Sequence, residues 1–119
     1  MAMSAISITT FRPALAEAFA RLNVEWIEHL FRLEDSDVKV LRDPQSSIIA
    51  TGGQIFFAVD GNEVVGTVAA LRESPTVFEL AKMAVQASHQ GRGLGEALGR
   101  AAITFARHSA ACAGFPHAV

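Results

Sequence analysis

The sequence has a single cysteine, Cys112, and this scarcity excludes two kinds of structure. One cysteine cannot close an internal disulfide, and there is no second cysteine with which it could share a metal ion. The four histidines, at positions 29, 89, 108 and 117, also lack the spacing of metal ligands. We therefore expect no metal site, and an ordinary small side chain at Cys112.

The sequence also lacks long apolar runs and any large excess of positive or negative charge. No run reaches the roughly 18 residues of a membrane-spanning helix, and no basic-then-apolar secretory signal stands at the N-terminus. The formal net charge is only −2, so the chain offers no basic field for nucleic acid or anionic lipid. We expect a cytoplasmic protein with neither partner. Half of the 119 residues are apolar, enough for one domain with a sizeable core.

The first half of the chain predicts a strand followed by two helical segments. Residues 7–11 alternate like a strand, and Arg12-Pro13 ends it because proline cannot continue a ladder. Leu15, Phe19 and Leu22 then recur at helical spacing, and a second helical segment is predicted from about Val24. An acidic run (Glu34, Asp35 and Asp37) and a loop at residues 43–44 follow.

The second half predicts three antiparallel strands and a helix. Residues 54–59 and 63–71 are apolar runs joined through Asp60-Gly61-Asn62, a strong hairpin signal because the tight turn needs positive φ. A further strand is predicted over residues 76–85. Apolar positions from 94 to 105 then predict a core-packed helix of about three turns. The predicted order is β-α-α-β-β-β-α, with a tail from His108 that has no clear periodicity.

Residues 90–95 (QGRGLG) lie between the last strand and the last helix, and this arrangement suits a phosphate. Glycines let the backbone approach a ligand, and the first N–H groups of a helix have no intrahelical partner. Those donors and the helix dipole form an anion site. Dinucleotide folds and nucleotide hydrolases use similar turns. A dinucleotide-binding domain is disfavoured because the motif follows antiparallel strands rather than opening a βαβ unit.

The element order, with residues 79–85 (ELAKMAV) before the glycine turn, resembles the GNAT superfamily of acetyl-CoA-dependent N-acetyltransferases. The family signature Q/R-x-x-G-x-G/A follows its fourth strand, and Gln90, Gly93 and Gly95 fill its fixed positions. The resemblance covers about residues 7–107. It implies an α+β (α/β) fold of acyl-CoA N-acyltransferase type, with antiparallel central strands and a phosphate-binding helix after strand 4. It also implies a single GNAT domain over residues 1–119.

The resemblance implies acetyl-CoA as cosubstrate and a set of residues that would hold it. Backbone N–H groups of residues 91–96 would cradle the pyrophosphate, and main-chain groups of Met83 and Val85 would pair with the pantetheine arm. A strand bulge near Met83 or Ala84 would open the slot. Arg92 would contact a phosphate or remain a solvated turn residue. The implied cofactor-binding residues are Met83, Ala84, Val85, Gln90, Gly91, Arg92, Gly93, Leu94, Gly95 and Glu96.

The implied reaction is transfer of acetyl to a primary amine of a small molecule or peptide by direct attack. An alkylamine, with a pKa of about 10, is mostly protonated at pH 7, so a general base is needed. Glu79 is the candidate because it interrupts an apolar strand, where burial would suit it to this role, and because it matches the catalytic glutamate of several family members. The alternative is that Glu79 faces solvent or pairs with a basic residue. The acidic run 34–37 would attract a cationic substrate or form a solvated loop.

Two features of the family are missing from the sequence. Members commonly use a tyrosine downstream of the phosphate helix as the acid, and this chain has no tyrosine. Members also continue into further strands, whereas residues 108–119 do not resemble a strand. We therefore expect a domain incomplete at its C-terminus, with an apolar edge that a homodimer would cover. The alternative function is a coenzyme A-binding remnant or regulatory module without turnover.

Overall fold

The fold is α+β, and its centre is one antiparallel sheet. The structure, a computed structural model, describes residues 6–30 and 40–114. Its four strands lie in the order β1-β2-β3-β4, so each strand pairs with its neighbour in sequence. The strands are β1 (Ile6–Thr10), β2 (Gln54–Asp60), β3 (Glu63–Ser74) and β4 (Val77–Val85). This confirms the predicted first strand and the three successive antiparallel strands.

The hairpin between β2 and β3 turns where the sequence predicts. Asp60 pairs with Glu63, and Gly61 between them has a φ of 63°. β3 continues to Ser74, three residues beyond its predicted end. The Arg72 side chain stabilises this extension, because its Nε donates to the Ser74 carbonyl and its Nη2 to that of Pro75.

The first helix, α1 (Ala16–Leu30), runs without a break through Val24. The prediction that a second helical segment begins there is therefore wrong. The stretch contains neither glycine nor proline, and Asn23 bonds back to the Phe19 carbonyl within the helix at 3.0 Å. Residues 43–44 lead into a short π-helical segment, Gln45–Ile49, which the sequence did not predict.

The last helix, α2 (Leu94–Gly114), has 21 residues, about six turns instead of the predicted three. Its second half is rich in alanine, the best helix former, but has few large apolar residues from which to detect a period. None of the helices within the described residues combines the length and apolarity needed to cross a bilayer.

The two helices cover opposite faces of the sheet, and each face has its own apolar core. Towards α2, the side chains of Phe56, Val68 and Leu98 are buried together. Towards α1, Phe19, Phe57 and Ile55 form the second cluster, alongside Ile48 and Leu41. Because side chains alternate between the faces of a strand, neighbouring positions on β2 serve different cores.

Candidate functional site

Between β4 and α2 the chain forms the predicted glycine turn. Gly91 and Gly93 have φ values of 82° and 79°, the left-handed region that favours glycine. A Cβ at either position would meet no described atom within 4 Å, so backbone conformation rather than crowding calls for glycine. Residues 90–93 are exposed, whereas His89 and Leu94 at the two ends are buried. The turn is therefore a solvent-facing loop held at both ends.

The N-terminus of α2 presents its backbone donors beside this turn. Ala97 is the residue whose N–H bonds back to the Gly93 carbonyl, at 3.1 Å, while the preceding amides belong to the unpaired first turn of a helix. Gly93, Glu96, Ala97 and Arg100 line a shallow cavity of about 280 Å³. Glu96 pairs with Arg100 at 2.6 Å, an exposed ion pair of small energetic weight. The Glu96 carboxylate thus lies beside the arginine one turn further along.

A bulge interrupts β4 close to where the family resemblance implied one. Thr67 pairs with Ala84 and Ala69 with Ala81, so Lys82 and Met83 together oppose Val68. Lys82 has a φ of 54°, a left-handed conformation that allows the extra residue. The prediction of a bulge near Met83 or Ala84 is confirmed to within one residue.

Met83 connects the bulged strand to the helix of the glycine turn. Its side chain is 37% exposed. A Cβ on Gly95 would lie 3.7 Å from its Sδ, and one on Gly99 would lie 3.9 Å from its Cε. Ala84 is buried, and the half-buried Val85 packs against the α2-side core. The structure therefore brings the candidate residues of β4 and of α2 into one place.

Glu79 lies on the other face of β4. Its neighbour Phe78 packs edge-to-face on Phe105 of α2, and its cross-strand partner Leu71 packs against the α1-side core. Alternation along the strand therefore puts Glu79 on the α1 face. The side chain is exposed, so the burial on which the sequence argument for a general base rested is not found. The alternative interpretation, a carboxylate facing solvent, agrees with the structure.

A hydrogen-bonded network that the sequence did not reveal lies just before the turn. His89 Nε2 is 2.9 Å from Asp60 Oδ2, and His89 Nδ1 is 2.7 Å from Ser88 Oγ. Gln86 Nε2 donates to Ser88 Oγ at 3.0 Å and to Glu63 Oε2 at 2.9 Å. Asp60 and His89 are 29 residues apart in the sequence. Asp60 is also typical of a hairpin turn, so its presence did not indicate a second role. No local pattern could have paired them.

Several residues considered in the sequence do not enter this site. Glu34, Asp35, Asp37 and the tail beyond Gly114 lie outside the described residues. Within residues 6–30 and 40–114, no three His, Cys, Asp or Glu side chains are grouped so as to hold a metal ion. Arg92, by contrast, belongs to the site and is exposed on the turn.

Comparison with protein families gives a match to the acetyltransferase (GNAT) family over residues 14–115. Comparison with curated proteins gives no match. A GNAT acetyltransferase from Staphylococcus aureus has a similar fold, with a TM-score of 0.79 at 20% identity over 87% of this chain and 67% of that one.

Two similar structures contain acetyl-CoA. One is a GNAT acetyltransferase from Brucella melitensis, with a TM-score of 0.74 at 16% identity over 89% of this chain and 71% of that one. The other is a predicted acetyltransferase from Clostridium acetobutylicum, with a TM-score of 0.70 at 11% identity over 87% of this chain and 74% of that one. These likenesses agree with the family match on the fold.

Proposed function

The chain belongs to the GNAT acetyltransferase family, and from that premise we propose that it transfers the acetyl group of acetyl-CoA to a primary amine of a small molecule or peptide. The observation that carries the proposal is the placing of a bulged strand beside a glycine turn. Met83 of β4 lies beside the part of α2 that follows the turn, where a Cβ on Gly95 would be 3.7 Å from its Sδ. A cofactor held by the turn would therefore have its arm beside β4.

In this proposal the turn and β4 bind different parts of acetyl-CoA. The N–H groups of residues 91–96 hold the pyrophosphate, assisted by the positive end of the α2 dipole. Arg92, exposed on the turn, contacts a phosphate. Main-chain groups of Met83 and Val85 pair with the pantetheine arm as an added strand would. The bulge at Lys82–Met83 turns this part of β4 away from regular pairing and supports a slot there.

The chemical step is direct attack of the amine nitrogen on the thioester carbon. The new C–N bond forms as the C–S bond breaks, and a backbone N–H near residues 83–85 stabilises the oxyanion between. Glu79 accepts the amine proton, directly or through water, from the α1 face of β4. The coenzyme A thiolate leaves and takes a proton from solvent, since a free thiol with a pKa of about 8.5 is mostly protonated at pH 7; this route needs no tyrosine, and the chain has none.

A second candidate function is a coenzyme A-binding module without turnover. The exposure of Glu79 favours it, because the buried setting expected for a general base is not found at this carboxylate. The two candidates share the cofactor site and differ only in whether acetyl reaches an amine.

We also propose a cytoplasmic location and a homodimer. Within the described residues β4 pairs on one side only, with β3, and Val77, Leu80 and Met83 on it are exposed apolar side chains. Native proteins seldom leave such an edge uncovered. A second copy of the chain would cover this edge.

Calorimetric titration of the 119-residue chain with acetyl-CoA tests the cofactor site. The informative variant combines Arg92→Glu with Gly93→Asp, which places negative charge where the pyrophosphate would lie. Its matched control combines Arg107→Glu with Thr104→Asp, the same change of charge at two exposed positions further along α2. The proposal expects binding by the wild type and the control, and loss of binding in the turn variant. Equal binding by both variants would place the cofactor elsewhere.

A further inference from the structure

The glycine turn is anchored differently at its two ends. Leu94, 7% exposed, is held by apolar packing in the α2-side core. His89, 8% exposed, is held by a hydrogen bond to Asp60 at the corner of the β2–β3 hairpin. We propose that His89 is a positioning residue, which fixes the turn against that hairpin so that its N–H groups converge on the cofactor phosphates. This inference rests on the proposed function.

Each hydrogen bond around His89 can be assigned a donor and an acceptor, and the assignments agree with one another. A carboxylate only accepts, so the bond to Asp60 Oδ2 requires that His89 Nε2 carries the hydrogen. In the neutral ring Nδ1 is then an acceptor, and the Ser88 hydroxyl donates to it. Ser88 Oγ in turn accepts from Gln86 Nε2. Both nitrogens of the buried ring are therefore satisfied, and one tautomer and one ring orientation are selected.

Further bonds fix the rest of the segment that leads into the turn. Gln86 N–H bonds to the Val65 carbonyl at 2.8 Å, and Gln86 Oε1 accepts from Arg21 of α1 at 3.5 Å. Gln90 Nε2 donates to the Val85 carbonyl at 2.9 Å. Among the described residues, these contacts hold the segment to β3, β4 and α1, whereas the bond from His89 ties it to the end of β2. Without that bond the entry to the turn would gain freedom that cofactor binding must remove.

Acetyl-CoA affinity in a small variant set tests the positioning role. We expect Asp60→Ala and His89→Ala each to raise the dissociation constant about tenfold, and the double variant to do no worse than either, because both remove one shared bond. Asp60→Asn keeps an acceptor oxygen for Nε2–H and should recover most of the affinity. Ile48→Ala, a cavity in the α1-side core, controls for general destabilisation. Affinities of the two alanine variants equal to that of Ile48→Ala would overturn the proposal.

Amide hydrogen exchange of Gln90 and Ala97 in the free protein separates this inference from the proposed function, because their N–H groups are hydrogen-bonded at the two ends of the turn, to the Ala87 and Gly93 carbonyls. Faster exchange in His89→Ala than in Ile48→Ala would support the anchoring role even if the wild type failed to bind acetyl-CoA, a result that would defeat only the proposed function. Unchanged exchange, with or without cofactor binding, would overturn the anchoring role.

Discussion

Glycines near the candidate site are present for different physical reasons. Gly93 sits at a φ of 79° in open space, so its role is conformational. Gly99 lies inside α2, where a Cβ would make only an ordinary contact with Met83 Cε at 3.9 Å. A left-handed φ disfavours any residue with a Cβ, whereas a glycine in a helix interior is itself destabilising.

Alanine at these two glycines should therefore change stability in opposite directions. Gly93→Ala is expected to lower the free energy of unfolding by about 1–2 kcal/mol because of its backbone conformation. Gly99→Ala is expected to raise it by about 0.5–1 kcal/mol through helix propensity. Urea unfolding followed by circular dichroism measures both. A stabilising effect of Gly93→Ala would contradict the positive φ in the turn.

Glu79→Gln separates the two candidate functions. If Glu79 is the base, kcat for amine acetylation should fall by roughly 10²–10⁴-fold. The dissociation constant of acetyl-CoA should stay unchanged, because the proposed phosphate site lies at the N-terminus of α2, on the opposite face of the sheet from Glu79. Thiol release with a panel of amines gives kcat, and calorimetry gives the affinity.

Glu73→Gln is the control for this variant, since Glu73 is another exposed carboxylate, on β3. Equal activity in wild type and Glu79→Gln would remove Glu79 from the mechanism. Absence of turnover in a wild type that binds acetyl-CoA would favour the module without catalysis.

At the scale of elements, predictability followed the range of the interactions involved. The turn of the β2–β3 hairpin has a local signal, Asp60-Gly61-Asn62 between two apolar runs, and the sequence predicted it. The bulge at Lys82–Met83 has no local signal, and only the family resemblance implied it. The length of α2 was underestimated because alanines favour a helix without showing a period. The His89–Asp60 bond joins distant segments, so nothing in either segment revealed it.

The packing of α2 against the sheet depends on Leu98. Its side chain is fully buried and its Cδ1 would lie 3.1 Å from a Cβ on Gly66, so the helix packs closely over β3. Leu98→Ala should lower the free energy of unfolding by about 2–5 kcal/mol. Ile103→Ala, on the same helix but 41% exposed, should cost much less. Equal losses in thermal or urea unfolding would mean that α2 does not pack as described.

At the scale of the whole molecule, the sheet separates the proposed cofactor site from the candidate general base. The α2 face carries the turn and the Met83 contact, while the α1 face carries Glu79. β4 is the strand common to both, and it lies at the edge of the described sheet. The same edge is therefore where we propose that the pantetheine arm binds and where a second copy would pair.

Two ligands that share one edge must compete. Sedimentation at micromolar concentration should show a homodimer, and saturating acetyl-CoA should shift it toward monomer, since each ligand that binds only the monomer lowers the dimer population by mass action. Leu80→Lys places a charge on the exposed edge and should weaken the dimer without the cofactor. Ile103→Lys, at an apolar position of similar exposure on α2, is the control. A dimer unaffected by both acetyl-CoA and Leu80→Lys would have to form through another surface, leaving the β4 edge available to the cofactor in both copies.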